Sequence, residues 1–321
     1  MLRNFGLKAS LLVVTVALCV GVPIANAEGA MLSWTSPTTA WLTSVFMVSA
    51  DDGWAVGYIL QNLYIVNGTI IHWDGTEWSN VTSPTTWGLY SVFMVSADDG
   101  WAVGAGGRII HWDGTEWSNV TSPIVWETLF SVHMVSADDG WAVGYRGMII
   151  HWDGTDWSTV TSPTTEHLAS VFMVGADDGW AVGGGLVGDV GTIIRWDGAE
   201  WSNVTSPTAL PLASLHMVSA DDGWAVGAGG TIIHWDGSDW SDVTSPTFAL
   251  LWDVFMVSSD DGWAVGDGGT IIRWTGTEWI PEFPTVMLMP LLISLTLVVV
   301  ILAKTASKKR RKPSLPSKTL L

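Results

Sequence analysis

One heptapeptide, Asp-Asp-Gly-Trp-Ala-Val-Gly, is written six times without change, beginning at Asp51, Asp98, Asp138, Asp177, Asp221 and Asp260. Its tryptophans, Trp54, Trp101, Trp141, Trp180, Trp224 and Trp263, fall at intervals of 47, 40, 39, 44 and 39 residues. A second tryptophan follows each of them, at Trp73, Trp112, Trp152, Trp196, Trp235 and Trp274. The distance from that second tryptophan to the next first one is nearly constant, so the length variation lies between the two. A period near 40 residues is that of a stacked supersecondary unit, and such a unit cannot bury its apolar surface alone.

Each unit reads as four short strands. Strand a is of the Ser-Val-Phe-Met-Val-Ser type (Ser91–Ser96), and strand b is Trp-Ala-Val-Gly. Strand c is Thr-Ile-Ile-His-Trp (Thr69–Trp73), and strand d is Glu-Trp-Ser-Asn-Val-Thr-Ser (Glu77–Ser83). Asp-Gly pairs separate a from b and c from d, a strong hairpin signal because glycine accepts a positive φ. No helical periodicity runs through residues 31–280. Six four-stranded units that are apolar on both faces bury one another when arranged radially. The expected fold is all-β, a six-bladed β-propeller over residues 28–280. The repeated tryptophans then serve as packing between blades. The N-terminal Leu32–Thr38 matches the end of a d strand and is expected to supply or complete the outer strand of the last blade and so close the ring.

The strings Gly53–Gly57 and Asp74–Trp78, repeated in each unit, resemble those of the BNR/Asp-box propellers, and more closely the photosystem II assembly factor-like propellers. The resemblance covers about residues 31–280. It implies a propeller fold and a structural Asp box on the c–d hairpin, here one residue shorter than the family pattern.

The chain of 321 residues concentrates its charge. All 31 acidic residues lie between Glu28 and Glu282, against four arginines, Arg108, Arg146, Arg195 and Arg273. Such a surface repels nucleic acid, whose phosphates need clustered cations. Residues 1–27 have the basic start, apolar run and Ala-Asn-Ala end of a cleavable secretory signal, an uncleaved anchor being the alternative. The one cysteine, Cys19, lies within it, so stability must come from a packed core. Residues 286–303 carry no charge and are long enough to span a bilayer as a helix. The basic cluster Lys308–Lys312 in the tail, 304–321, places that tail in the cytoplasm and the repeats outside. The order Pro-Glu-Phe-Pro (in the 281–285 linker), apolar span, basic cluster resembles the archaeal PEF-CTERM sorting signal. That resemblance implies archaeosortase processing and display at the cell surface, although Pro313–Leu321 extends past the usual end.

Catalysis should break the repeat, because a site needs unlike residues converging on a point. Arg195 and Arg273 occupy the strand-c position of His72, His111, His151 and His234, and so form no arginine triad of the sialidase type. That His/Arg column reads as hydrogen-bond donation to an Asp-Asp-Gly turn or a backbone carbonyl rather than as metal ligation. The paired aspartates offer too few oxygens for a calcium loop, and no metal or cofactor is expected. Asn67, Asn80, Asn119 and Asn203 begin Asn-x-Ser/Thr sequons, where glycans would shield outer strand edges.

The units differ in the b–c loops, with insertions at 58–68 and 184–191, and in the d–a segments. Both open on one face. A constant leucine precedes a variable residue there: Thr43, Tyr90, Phe130, Ala169, Ala213 and Trp252. With Trp41, Trp87, Trp126 and His167 nearby, that face is varied and aromatic. Exposed aromatics on rigidly held loops are typical anchors for binding. The expected function is a non-catalytic, surface-anchored propeller that recognises an extracellular glycan or an envelope protein. The alternatives are a carbohydrate hydrolase or lyase using Glu127 and Glu166, and a purely structural envelope component.

Overall fold

A computed structural model describes residues 36–61, 64–185 and 191–282. The predicted signal segment, the other residues before Ser36, the apolar span and the basic tail lie outside the described residues. Each repeat folds as one antiparallel sheet of four strands in the order a-b-c-d, giving six sheets. In blade 2 the strands are Leu89–Ser96, Asp99–Gly104, Ile109–Trp112 and Trp117–Val120. Blade 1 uses Trp41–Ser49, Asp52–Gln61, Tyr64–Trp73 and Trp78–Val81. The insertion read as a loop in blade 1 is instead a longer ladder, with Gln61 opposite Tyr64. In blades 2, 3, 5 and 6 the b–c link is a single 3₁₀ turn, such as Ala105–Gly107.

The two kinds of Asp-Gly turn use glycine differently. On the c–d hairpin Gly75 has φ +88°, and its counterparts in the other five units are also positive. There Asp74 Oδ1 accepts from the Thr76 and Glu77 amides at 2.8 and 2.9 Å and from the Thr76 hydroxyl at 2.6 Å. These donors pull the Asp74 carboxyl down to about 2. In Asp-Asp-Gly, by contrast, the glycine is not in the positive-φ region. Gly53 pairs with Met47, and a Cβ on it would overlap the Met47 sulfur. Its requirement is space across the ladder, not turn geometry.

The His/Arg column is resolved within each blade. His72 Nε2 donates to Asp52 Oδ1 at 2.8 Å, and the same pair recurs as His111–Asp99, His151–Asp139 and His234–Asp222. Arg195 and Arg273 reach Asp178 and Asp261 through Nε at 3.0 and 2.9 Å. The second tryptophan closes the same hairpin, Trp112 Nε1 donating to Ala97 O at 3.0 Å.

Between blades, packing follows one pattern. Trp54 of blade 1 meets Trp112 and Trp117 of blade 2 at ring separations of 4.7 and 5.5 Å, beside Val56, Ile70, Leu89, Val92 and Met94. Equivalent clusters join blades 2–3, 3–4, 4–5 and 5–6. An indole of this size removes roughly 200 Å² from water, so its burial contributes about 5 kcal/mol before entropy is counted.

Two expectations are corrected here. The last blade has an outer strand of its own, Trp279–Pro281, so Leu32–Thr38 is not needed to supply it; residues 32–35 of that segment lie outside the described residues. Pro281 is tolerated there because the strand is an outer edge. Residues 36–40 form no strand; instead Pro37 O accepts from Asn80 Nδ2 at 3.0 Å, as Pro84 O and Pro163 O do from Asn119 and Asn203. The chain before blade 1 therefore sits where the end of a preceding blade would.

The second correction concerns closure. Leu89, Val92 and Met94 of blade 2 are 0, 4 and 3% exposed, whereas their blade 1 equivalents Leu42, Val45 and Met47 are 44, 61 and 46% exposed. On blade 6, Phe255 and Val257 are 58 and 62% exposed, and Trp263 is only partly buried, unlike the other five repeat tryptophans. Six blades therefore make five packed interfaces among the described residues, and a seam stays open between blades 6 and 1.

Candidate functional site

The inner strands carry a bulge that recurs in every blade. In blade 2 Leu89 pairs with Gly104 and Ser91 with Val103, which leaves Tyr90 unpaired in the ladder. The same register shift leaves out Thr43, Phe130, Ala169, Ala213 and Trp252. The variable column of the sequence is thus the bulge position, and a bulge re-aims its side chain. These residues line one central cavity of about 700 Å³ that all six blades border. The final glycine of Trp-Ala-Val-Gly makes the bulge possible: a Cβ on Gly104 would overlap the Gly88 carbonyl oxygen, and one on Gly144 that of Thr128.

The candidate residues divide into two groups. Trp41, Tyr90, Phe130 and Trp252 line the central cavity together with Tyr58, Asp253 and Asp267. Tyr58, Tyr90 and Phe130 touch in sequence, at 5.8 and 6.1 Å, and burial, with Tyr58 adding to it, pushes the Tyr90 hydroxyl up. Trp252 Nε1 donates to Asp267 Oδ1 at 2.7 Å. Trp87 and Trp126 form a separate rim pocket of about 290 Å³ with Ile124, Val125 and Arg108. Their rings meet edge to face at 6.1 Å, and the Arg108 guanidinium lies 5.8 Å over Trp87.

Trp126 is 78% exposed and has φ +70°. Its segment, Ser122–Leu129, is one residue longer than the other d–a segments, and the extra residue is absorbed there. His167 lines neither pocket. It stacks on Tyr145 at 4.4 Å, lies 6.4 Å from Phe130, and accepts the Arg146 backbone N–H at Nδ1. Arg108 and Arg146, on the b–c turns of adjacent blades, make no ion pair among the described residues, whereas Arg195 and Arg273 do. The two arginines without an ion pair among the described residues thus sit on the aromatic sector of this face.

Three features here were not anticipated. Asp253 replaces the serine of Ser44, Ser91, Ser131, Ser170 and Ser214; it accepts from Ser214 Oγ at 2.7 Å, and burial raises its carboxyl. That exception was visible in the aligned repeats. Below the bulges, Phe46, Phe93, His133, Phe172, His216 and Phe255 touch from blade to blade at 4.5–5.0 Å. Tyr58 joins the cavity because the blade 1 insertion is a ladder.

Glu127 and Glu166 line neither the central cavity nor the rim pocket. Among the described residues no three His, Cys, Asp or Glu side chains come together to hold a metal ion. Two further grooves, about 600 and 250 Å³, lie at equivalent places between blades 1–2 and 4–5, as repeated packing dictates. Asn67, Asn80, Asn119 and Asn203 are all exposed, Asn67 on the blade 1 hairpin and the others on outer strands.

No family model matches this chain, and no curated protein does. Solved structures share its fold. YCF48 bound to D1 peptide is 20% identical with a TM-score of 0.61, over 77% of this chain and 82% of that one. YCF48 from Cyanidioschyzon merolae is 17% identical with a TM-score of 0.60, over 78% and 87%. The structure of U3-55K is 9% identical at a TM-score of 0.60, over 77% and 82%.

Proposed function

We propose that this protein is a non-catalytic binding propeller whose variable face recognises a polypeptide segment of an envelope protein. The observation that carries this is the bulge. A uniform scaffold presents its non-repeated residues, Tyr90, Phe130 and Trp252, into one cavity, and the loops beside it add Trp87, Trp126, Arg108 and Arg146. Aromatic and arginine side chains are the residue types that dominate binding energy at protein interfaces. The similar YCF48 structure bound to a peptide supports a polypeptide over a glycan as ligand. The predicted signal and the 286–303 span fit a propeller displayed outside the cell and held at the membrane, with archaeosortase processing as the route suggested by the C-terminal pattern.

The test is capture of envelope proteins and of arrayed glycans by the full-length chain in nanodiscs. Capture of a protein partner, weakened at least tenfold by joint replacement of Trp87, Trp126 and Trp252 with alanine, is expected. Capture of glycans alone, or equal capture by the variant, contradicts the proposal.

A further inference from the structure

The open seam has two walls, and the five closed interfaces show what each wall packs against. The blade 1 wall presents Leu42, Val45 and Met47; the blade 6 wall presents Phe255, Val257 and Val265. In every closed interface these surfaces meet the apolar face of another blade. Both walls border a cleft of about 510 Å³. The chain of aromatic contacts below the bulges runs from Phe46 to Phe255 and stops at this seam.

The hydrogen bonds across the closed interfaces show the rest. Ser44 Oγ accepts the Val92 amide at 3.2 Å, Ser91 Oγ that of Val132, and Ser131 Oγ that of Val171. Each is a bond from one inner strand to the next. At the seam the acceptor side carries Asp253, a carboxylate in place of the hydroxyl, engaged by Ser214. On the other side the amide of Val45, the equivalent of Val92, donates no such bond among the described residues. The seam therefore offers an acceptor for a strand N–H on one wall and a donor for a hydroxyl on the other.

We propose that this seam is a docking site for an extended β-hairpin of a partner protein, packed as the inner strands of a further blade. This rests on the reading of the molecule as a polypeptide-binding propeller. The hairpin that fits carries a hydroxyl followed by alternating aliphatic residues, the pattern of the chain's own inner strands. Ahead of blade 1 the chain itself holds eight residues between the predicted cleavage after Ala27 and Ser36, enough for one strand of roughly 26 Å at about 3.3 Å per residue, and residues 283–321 follow the outer strand of blade 6 with the predicted membrane span. Ser36 borders the cleft beside Ala55, Ile71 and Trp78, on the outer side of blade 1. That stretch is long enough for one strand, whereas at each closed interface such a wall packs against a sheet of four strands.

The probe is a fluorescein-labelled peptide copying residues 168–183, titrated into the full-length chain in nanodiscs, with a scrambled peptide as control. Saturable binding to the wild type is expected, weakened at least tenfold by Val45→Asp with Val265→Asp, and unchanged by Trp87→Ala with Trp126→Ala. Val45 and Val265 are exposed, so circular dichroism should show the seam variant folded. Absence of saturable binding, or equal binding to the seam variant, overturns the proposal. So does a Val45→Cys/Val265→Cys pair that closes a disulfide with no peptide present, since the walls then meet each other. Binding that appears only after deletion of residues 28–35 overturns it too, because the chain's own segment is then the occupant. Partner capture by the aromatic face is scored separately with Trp87→Ala and Trp126→Ala, residues that do not line the seam cleft, so either reading fails without the other.

Discussion

His133 and His216 stand in a column otherwise filled by phenylalanine, and burial holds them down to about 3 and about 4, from an ordinary 6.5. The unfolded chain therefore takes up protons that the folded one refuses. Their contribution is fully present above pH 6.5 and is lost as pH falls toward 4 and then 3. Replacing both by phenylalanine should flatten the slope of unfolding free energy between pH 6 and about 4.5, read by urea titration at each pH. An unchanged slope would mean that the imidazoles are not desolvated. Gly144 makes a second case. Alanine there would press on the Thr128 carbonyl, and the expected cost is about 1–3 kcal/mol in the same titration. At this scale the sequence was legible where residues repeat: five of the six repeat tryptophans, the His/Arg donors and the Asp box take the roles their columns imply, and Trp263 at the seam does not. It was not legible for Gly53, whose Asp-Gly context imitates a turn while its position is a strand facing Met47.

A blade is held by contributions of very different size. The His151–Asp139 pair is partly solvated, so Asp139→Asn should cost at most about 1 kcal/mol. Trp141, 2% exposed between blades 3 and 4, should cost about 3–5 kcal/mol when replaced by alanine. Thermal unfolding of the two variants should rank them in that order; the reverse order would mean that charge pairing outweighs burial. The strand order and the four-stranded unit follow from alternation and turn residues. The bulge does not, because one extra residue in an inner strand leaves the apolar pattern on either side intact. Its trace is the constant Leu beside a variable neighbour and a constant Gly opposite, which reads as a register shift only once the ladder is known. The blade 1 insertion was missed as a ladder for a similar reason: the residues read as a loop are themselves able to pair.

Over the whole molecule, counting units establishes six blades but not whether they close. Closure depends on the small angle between neighbouring sheets, and identical repeats carry no signal for that angle. Its consequence is chemical: the first and last blades bear the residues that the other four bury, and Asp253 appears where a serine would otherwise bind the next blade. The domain's excess of carboxylates, with Arg108 and Arg146 placed on the aromatic sector, selects against anionic surfaces except there. Binding to that sector should weaken as salt rises if the arginines contribute, which titration of a captured partner at about 0.05 and about 0.5 M salt would read.

Mutual burial between neighbouring sheets organises all of this, and hydrogen exchange of the full-length chain read strand by strand tests it most directly. The inner strands of blades 2–5 should be protected together, and those of blades 1 and 6, Trp41–Ser49 and Leu251–Ser258, should exchange markedly faster. Equal protection of all six inner strands would contradict an open seam and the packing described for it.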